Sequence, residues 1–431
     1  MTLTSHVLTR RDALKAAAVG AGFLLLAGCS PTPAPTAGGD VELEYWTMFT
    51  PNSTDDPRAA AEQAIFDSLA ASAGIKLVWK TVPWEVVDTQ LMAAVQAGNA
   101  PGLTRSRHFM FDRLAGAGTY SSLDDYVANT FSPADLDDFI VQMKYDDTTY
   151  GFLIENNVNG LYYRKDWFEE DGLEVPTNWD EFVDVGLKIK AKRPDIVPYL
   201  TFASTAQLTH TDQIFQPMIH GRGGKLLDGN GKAAFNSQEG IDTYQFLRDC
   251  VHKYGIVADN VVSVTYNDQA DAFDAGRGAM MIDGSHRYGR YVKANGEAVG
   301  IAEIPAGETS VCTFSGWVIV IPTGSPAPDA AWEAIVQRVS PEAQVTWSEM
   351  TGGLPVRKSV LSDPFFQTPE AEVVKWWAEY EARSGELLLV PPTATELNET
   401  MAQALQQVIL DKDASISTIL NDAAKKYDAV L

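Results

Sequence analysis

Alternation of strand-like and helix-like segments at the start of the chain limits the fold more than any other feature of the sequence. Residues 41–45 and 75–79 place apolar side chains at every second position, which is typical of half-buried strands. Between them, residues 57–73 repeat apolar side chains at helical spacing, and residues 88–98 predict a second helix that ends at a glycine. This β-α-β-α order predicts an α/β fold with a largely parallel sheet.

Later segments continue the alternation. Thr177, with Asp180 three residues on, is the predicted N-cap of a helix, and Ser340-Pro341 supplies the cap and first residue of another. Apolar runs at 279–282 and 317–321 are closed by turn residues and predict short buried strands.

The first 28 residues predict an export signal. Arg10-Arg11 precede an apolar run at 16–28, which is too short to span a bilayer, since a span needs about 20 residues. The paired arginines favour the twin-arginine route. Small residues directly before Cys29 resemble a bacterial lipobox, which implies that a lipid is attached to Cys29 and that residues 29–40 are a linker.

Composition narrows the possible partners. The chain has 431 residues, enough for about two or three domains, and its formal net charge is −24. So acidic a surface repels phosphate backbones and argues against a nucleic-acid partner. Beyond Cys29 the cysteines are Cys250 and Cys312, whose pairing the sequence leaves open; the helical pattern around Cys250 favours a buried thiol.

Sequence motifs spread over most of the chain carry a family resemblance. They are YGF at 150–152, LYYRKDWF at 161–168, AFDAGRGAMM at 272–281, SGW at 315–317 and GLPVRK at 353–358. In order and spacing these motifs resemble the extracellular solute-binding proteins of carbohydrate ABC importers, the maltose-binding-protein-like group.

The resemblance implies an α/β fold of the two-lobed periplasmic-binding-protein type (type II). Its lobes are discontinuous, and a hinge of several chain crossings joins them around a ligand cleft. We place the first lobe at 41–155 plus 312–352 and the second at 156–311 plus 353–431. Ligands of open α/β sheets lie outside the carboxyl ends of strands, which agrees with such a cleft.

The resemblance also implies a function. A monomer anchored to the outer face of the cell membrane by its lipid would capture a mono- or oligosaccharide and deliver it to the permease subunits of an ABC transporter. It would perform no catalysis and need no cofactor or metal.

Sugar binding calls for aromatic faces against C–H surfaces and polar groups for hydroxyls. Such side chains are expected near strand ends and at the chain crossings that the resemblance implies. His286 departs from the family pattern, in which many relatives have Trp. The candidate ligand-binding residues are Trp46, Phe49, His108, Phe109, Asn156, Asn157, Ser285, His286, Trp317, Gly353 and Arg357.

Two alternatives remain at the level of sequence. The first is a binding protein for another solute, such as a polyol or a ferric ion, because some relatives grip iron with adjacent tyrosines like Tyr162-Tyr163. The second is a secreted carbohydrate-active enzyme. Adjacent acid pairs such as Asp137-Asp138 are typical of solvated turns, whereas glycosidase carboxylates are usually distant in sequence. The sequence contains neither a G-x-S-x-G nor an H-E-x-x-H motif.

Overall fold

The computed structural model describes residues 41–53, 56–206 and 209–431. The predicted export signal, the linker and the lipidation site Cys29 lie outside these residues. Within the described part of the chain, no helix combines the length and apolar character that crossing a membrane requires.

The strands occur throughout the described chain. They are β1 Val41–Thr47, β2 Ile75–Thr81, β3 Leu103–Arg107, β4 Gln142–Tyr145, β5 Thr148–Arg164, β6 Val197–Leu200, β7 Gly278–Gly284, β8 Val299–Ala302, β9 Cys312–Val320 and β10 Gly385–Leu387.

The α-helices lie between and after these strands. They are α1 Pro57–Ala73, α2 Val87–Gln96, α3 Phe111–Gly116, α4 Asp124–Thr130, α5 Pro133–Asp138, α6 Lys165–Asp171, α7 Trp179–Lys192, α8 Gln216–His220, α9 Gln238–His252, α10 Tyr266–Asp274, α11 Tyr288–Asn295, α12 Pro328–Arg338, α13 Pro341–Thr351, α14 Glu372–Ser384, α15 Ala394–Leu410 and α16 Ile416–Asp428.

The described strands form one mixed sheet. Its central path runs β2-β1-β3-β9-β5-β7-β6, with β10 added to β9 and both β4 and β8 added to β5. Pairs β1–β2, β1–β3, β6–β7 and β9–β10 are parallel, whereas β5 is antiparallel to β4, β7, β8 and β9, and β3 is antiparallel to β9. The prediction of a largely parallel sheet is therefore wrong, because the long strands β5 and β9 run against their neighbours.

Strand β5 divides the sheet into two halves. Its residues 151–158 pair with β9, and its residues 159–164 pair with β7 and β8. We call the half that contains β1, β2 and β3 the first lobe, and the half that contains β6, β7 and β8 the second lobe.

Each lobe has its own hydrophobic core. In the first lobe, Tyr45, Phe152 and Trp332 belong to a buried cluster beneath the sheet. A much larger cluster fills the second lobe, with Tyr162 and Trp377 among its members. Burial of large aromatic side chains stabilises both lobes, since each contributes extensive apolar area.

Most local predictions are confirmed. β1, β2, α1 and β7 match the predicted ranges closely, and Ser340 caps α13 by accepting a hydrogen bond from the backbone N–H of Ala343 (3.2 Å). Strand β9 begins earlier than predicted, at Cys312.

The predicted cap of α7 is wrong by one residue. Asn178 is the N-cap, and its side-chain oxygen accepts from the backbone N–H of Glu181 (3.0 Å). Thr177 precedes the cap and donates to the Glu181 carboxylate instead (2.8 Å). Asn and Thr are both good caps, so composition alone does not separate neighbouring candidates.

Cys250 and Cys312 are free, buried thiols. Cys250 lies in α9 within the second-lobe core, as the helical pattern predicted. Burial raises the pKa of both thiols, which keeps them protonated.

Candidate functional site

Three chain segments meet where the lobes join. Asn156, Asn157 and Val158 of β5 lie opposite Gly316, Ser315 and Phe314 of β9, in that order. The third segment follows α13, and its Leu354 forms an isolated bridge to Asn156. The chain therefore crosses between the two halves of the sheet at three neighbouring places.

Gly316 is required by the close approach of the two long strands. The register of β5 shifts between Leu153 and Glu155, and a Cβ atom on Gly316 would lie 1.8 Å from the backbone oxygen of Glu155. The glycine therefore accommodates the irregular strand pairing directly before Trp317.

A cavity of about 430 Å³ opens at this junction. Its size falls within the usual range for small-molecule sites. Both lobes and the crossing strands contribute to its walls, which combine aromatic, polar and charged side chains. The lining residues are Trp84, Glu85, Arg107, Phe109, Asn157, Ala206, Thr209, Asp212, Ser315, Gly316, Trp317 and Leu388.

Aromatic rings form the first-lobe wall. Trp317 is partly exposed and lies between Arg107 of β3 and Glu155 of β5 in the sheet. Trp84, which follows β2, is 53% exposed, and the Arg107 guanidinium lies 5.7 Å from the centre of its ring. The Arg107 side chain is held by Asp88, whose carboxylate accepts from Nε (2.6 Å).

A carboxylate lies on the second-lobe side. Asp212 belongs to a π-helical turn at Thr211–Phe215. Asn159 Nδ2 donates to its Oδ1 (2.7 Å), and Thr313 donates to its backbone oxygen (2.5 Å). Burial raises the pKa of Asp212 to about 6 despite these bonds to its neighbours. At neutral pH the carboxylate can accept hydrogen bonds from ligand hydroxyl groups.

A buried ionic network supports Trp317 from below. The Arg105 guanidinium lies 5.1 Å from the Trp317 ring centre and is ion-paired with Glu155 and, at 3.0 Å, with Glu62. Arg338 also contacts Glu62 (3.3 Å). Burial alone would raise the pKa of Glu62, but the two arginines hold this pKa below its usual value. The positive charges of Arg105 and Arg338 are thus balanced inside the lobe by the negative charges of Glu62 and Glu155.

Three of the candidate ligand-binding residues line the cavity: Phe109, Asn157 and Trp317. Phe109 also packs against the second-lobe residues Leu388, Val390 and Ala394, so it touches both lobes.

Three other candidates are buried in the first lobe. Trp46 is 4% exposed, with Lys80 Nζ 4.2 Å from its ring centre. Phe49 lies in a small core with Trp347. His108 is 2% exposed, and burial lowers its pKa to about 4, so its ring is neutral at physiological pH.

Asn156, Gly353 and Arg357 lie beside the crossing. Asn156 donates from Nδ2 to Glu381 of α14 (2.7 Å). Gly353 packs so closely that a Cβ atom would lie 2.4 Å from Nε1 of Trp347. Arg357 is 5% exposed and ion-paired with Asp138 (3.1 Å), so its charge is already balanced by a protein carboxylate.

Ser285 and His286 lie just after β7. Ser285 accepts from the backbone N–H of Val158 (3.1 Å), which ties β7 to the crossing strand. His286 is exposed, and its Nε2 lies 3.2 Å from the Tyr266 hydroxyl, which itself donates to Asp283. Nε2 therefore carries the proton in this contact.

Sequence reasoning missed several residues that line the cavity, among them Trp84, Arg107 and Asp212. Trp84 follows the predicted strand β2, and Arg107 is the last residue of the buried strand β3. Both residues therefore lie at strand ends, where the sequence can be searched for ligand-binding side chains. Asp212 follows a segment without strand or helix periodicity, and only the tertiary fold brings it to the cavity.

The tyrosine pair does not form a two-oxygen metal grip. Tyr162 is fully buried and donates to the backbone oxygen of Gly284 (3.0 Å), while Tyr163 packs against Phe168 on the other face of β5. Among the described residues there is no group of three or more His, Cys, Asp or Glu side chains that could hold a metal ion.

Comparison with known proteins agrees with this architecture. The profile of the bacterial extracellular solute-binding proteins matches residues 64–373. A binding protein of Brucella abortus is 25% identical over 84% of this chain and 87% of its own length. A multiple sugar-binding protein of Streptococcus mutans is 26% identical over 62% of this chain and 63% of its own.

A solved structure shares the fold. The cyclic α-maltosyl-1,6-maltose binding protein of Arthrobacter globiformis superposes with a TM-score of 0.78 at 21% identity, covering 91% of this chain and 99% of that one.

Two lobes joined by adjacent crossings, with a cavity at the junction, define a binding protein of the two-lobed periplasmic type. The chain belongs to the family of bacterial extracellular solute-binding proteins.

Proposed function

We propose that this protein captures a mono- or oligosaccharide outside the cell membrane and delivers it to an ABC permease. The observation that carries the proposal is the cavity of about 430 Å³ between the lobes. Trp84, Phe109 and Trp317 offer flat faces for sugar C–H surfaces, while Asn157, Asp212 and Ser315 offer groups for hydroxyls. Sugar binding by the Streptococcus mutans relative supports the same reading.

Capture works by closure of the lobes. We assign the first lobe to residues 41–155 plus 312–352 and the second to 156–311 plus 353–431, as the sequence suggested. Two separate hydrophobic cores and the crossing of β5 and β9 between them support two discontinuous lobes, with Cys312 and Phe314 of β9 packed in the core of the second lobe. A ligand that contacts both lobes favours the closed arrangement by its differential affinity for that arrangement.

The protein remains at the membrane through a lipid on Cys29 and works as a monomer. A basic segment, a short apolar run and small residues before Cys29 support export and lipidation. Family membership supports an extracellular location.

Binding without catalysis fits the site better than the enzyme alternative. The acid side chains that line the cavity are Glu85 and Asp212, and the Asp212 carboxylate already accepts a hydrogen bond from Asn159. A polyol binds through the same hydroxyl chemistry and is one outcome of the test. Ferric ion is disfavoured because Tyr162 is committed to the core.

A thermal-shift screen over mono- and oligosaccharides, polyols and ferric ion tests the proposal. A sugar at 100 times its dissociation constant should stabilise the folded state by about 2.7 kcal/mol. The sugar should then be recovered unchanged after prolonged incubation. Hydrolysis of the sugar, or stabilisation by ferric ion alone, would contradict the proposal.

A further inference from the structure

The cavity between the lobes carries more acidic than basic charge. Glu85 lies on its first-lobe wall and Asp212 on its second-lobe wall, and Arg107 is the basic side chain among its described lining residues. The Arg107 guanidinium is ion-paired with Asp88, a buried carboxylate of α2. The positive charge of Arg107 is therefore balanced within the protein, whereas the two lining acids leave an excess of negative charge at the cavity.

Asp212 is oriented by uncharged groups. Its Oδ1 accepts a hydrogen bond from Asn159 Nδ2 (2.7 Å), and Nδ2 also donates to Thr313 Oγ1 (2.8 Å). The remaining neighbour that influences the charge of Asp212 is Asp283, which is itself an acid. The carboxylate therefore has a fixed position, and the described groups that influence it include no positive charge.

The second-lobe wall concentrates negative charge. Asp283 is fully buried and accepts hydrogen bonds from the Tyr266 hydroxyl (2.9 Å) and from Gln213 Nε2 (3.2 Å), while the Arg287 guanidinium lies 4.0 Å away. Burial, and repulsion by Asp283, raise the pKa of Asp212 to about 6. A ligand cation beside Asp212 would offset both effects, which a neutral hydroxyl group does only in part.

The aromatic wall of the cavity is also suited to a cationic sugar. Trp84 is 53% exposed, and it lines the cavity together with Phe109 and Trp317. Such rings pack against the C–H faces of a sugar and also attract an ammonium group that lies over them. The formal net charge of −24 favours the approach of cations over anions.

We infer that the captured sugar is an amino sugar, whose ammonium group binds the Asp212 carboxylate while its ring packs against the aromatic wall. This inference rests on the proposed function and specifies its substrate class.

Calorimetric titration with matched sugars at pH 7 tests the inference. The probes are glucosamine, glucose, N-acetylglucosamine and glucuronate, the corresponding galactose and mannose derivatives, and β-1,4-linked glucosamine oligomers beside cello-oligosaccharides of equal length. In the series that binds, the amine should bind at least about tenfold more tightly than its neutral parent and its N-acetyl derivative, because a charge-assisted hydrogen bond is the stronger kind. The uronate should bind most weakly, and added salt should weaken binding of the amine alone.

A conservative variant locates the preference. Asp212→Asn keeps the size of the side chain and an oxygen for Asn159, and should weaken binding of the amine by about tenfold or more while changing affinity for the neutral parent by less than about threefold. Asp259→Asn, which removes an exposed acid of the same lobe, is the matched control and should change neither affinity. Thermal melting of both variants checks that they are folded.

Proton release gives a second measurement. At pH 6 Asp212 of the free protein is about half protonated, while the ligand amine is charged. An ammonium group favours the ionised carboxylate, so binding should release on the order of half a proton at pH 6, and the affinity should fall as the pH is lowered from 7 to 5. Titrations in buffers of different ionisation enthalpy measure this release, which should be absent in Asp212→Asn.

The outcomes separate the two claims. A neutral sugar or a uronate that binds as tightly as the matching amine would overturn the amino-sugar inference and leave the proposed function intact. Equal weakening of amine and neutral parent by Asp212→Asn, or binding of the amine without proton release at pH 6, would also overturn it. Failure of amino and neutral sugars alike, here and in the thermal screen, would overturn the proposed function itself.

Discussion

At the scale of single residues, Trp317 is the side chain whose role is most open to test. It lies partly exposed at the cavity, yet it also packs against two first-lobe cores and above Arg105. It can therefore contribute to both ligand binding and stability, and the two contributions are separable by measuring both in one variant.

Trp317→Ala should weaken sugar binding by about 30-fold, equivalent to about 2 kcal/mol, because an anchoring aromatic in a desolvated site is lost. Trp332→Ala is the matched control: Trp332 is 4% exposed in the first-lobe core, so its loss should cost about 3–5 kcal/mol of stability and leave affinity unchanged. Calorimetric titration and thermal melting measure both effects. Wild-type affinity in a folded but strongly destabilised Trp317→Ala variant would place this residue in the core alone.

Glu381, which is bonded to Asn156 at the chain crossing, makes the stability of the protein depend on pH. Burial raises its pKa to about 7, although the bond from Asn156 Nδ2 opposes the shift. Oδ1 of Asn156 has no hydrogen-bond partner within the described residues. A protonated carboxyl can pair with both groups of the Asn156 amide, so the neutral form fits this position better.

The folded state should therefore bind a proton at Glu381 more tightly than the unfolded state. The stabilisation that this proton gives is complete below pH 4.5, the ordinary pKa of the side chain, and is lost as the pH rises through the folded-state pKa of about 7. In the wild type, the unfolding free energy should fall by on the order of 1–3 kcal/mol between these two pH values. Glu381→Gln keeps the paired geometry without a charge and should remove most of this fall. Urea unfolding between pH 4.5 and 8 measures it. Glu379→Gln, on the exposed face of α14, should retain the wild-type slope; an unchanged slope in Glu381→Gln would refute the assignment.

At the scale of elements, a buried ionic network joins α1, β3, β5 and α12 through Glu62, Arg105, Glu155 and Arg338. It fixes the strand that ends at Arg107 and supports the surface beneath Trp317. Because Arg105 and Arg338 both contact Glu62, this one carboxylate balances much of the positive charge of the two guanidinium groups.

Glu62→Gln should lower the unfolding free energy by about 3–5 kcal/mol, since it leaves a buried guanidinium uncompensated. Asp67→Asn, on the exposed face of the same helix, serves as the control and should change stability by less than about 0.5 kcal/mol. Chemical denaturation compares the two. A similar small effect for both variants would show that the network does not hold these elements together.

Local patterns predicted single elements well, because their causes are local. Periodicity located β1 and α1, and the cap of α13 follows from the chemistry of Ser340. Strand direction was wrong because the pairing of β5 with β9 depends on residues 151–158 meeting 314–320, a contact that no local pattern encodes.

The site was predicted only in part for the same reason. Trp317 and Phe109 were found because aromatic residues near expected crossings are few, and both line the cavity. Trp46 has the same chemistry at a strand end but faces the core. Glu62 was missed, although an acid on the apolar stripe of α1 is a signal for a buried ion pair.

At the scale of the whole molecule, the anchor makes a separate prediction. Cys29→Ala should release the protein from membranes, because the thioether-linked lipid would be lost, while its melting temperature in detergent-free buffer stays the same. Fractionation of cells measures retention, and mass spectrometry of the wild type should find lipid on Cys29. Retention of the variant, with no lipid on the wild-type cysteine, would contradict the lipoprotein interpretation.

The central claim is that a carbohydrate is captured by closure of two lobes about the strands β5 and β9. Small-angle X-ray scattering, with and without a sugar that the thermal screen identifies, tests it most directly. We predict a smaller radius of gyration at saturating sugar, with no change on addition of a sugar that does not bind. A tightly bound sugar that leaves the radius of gyration unchanged would contradict the account.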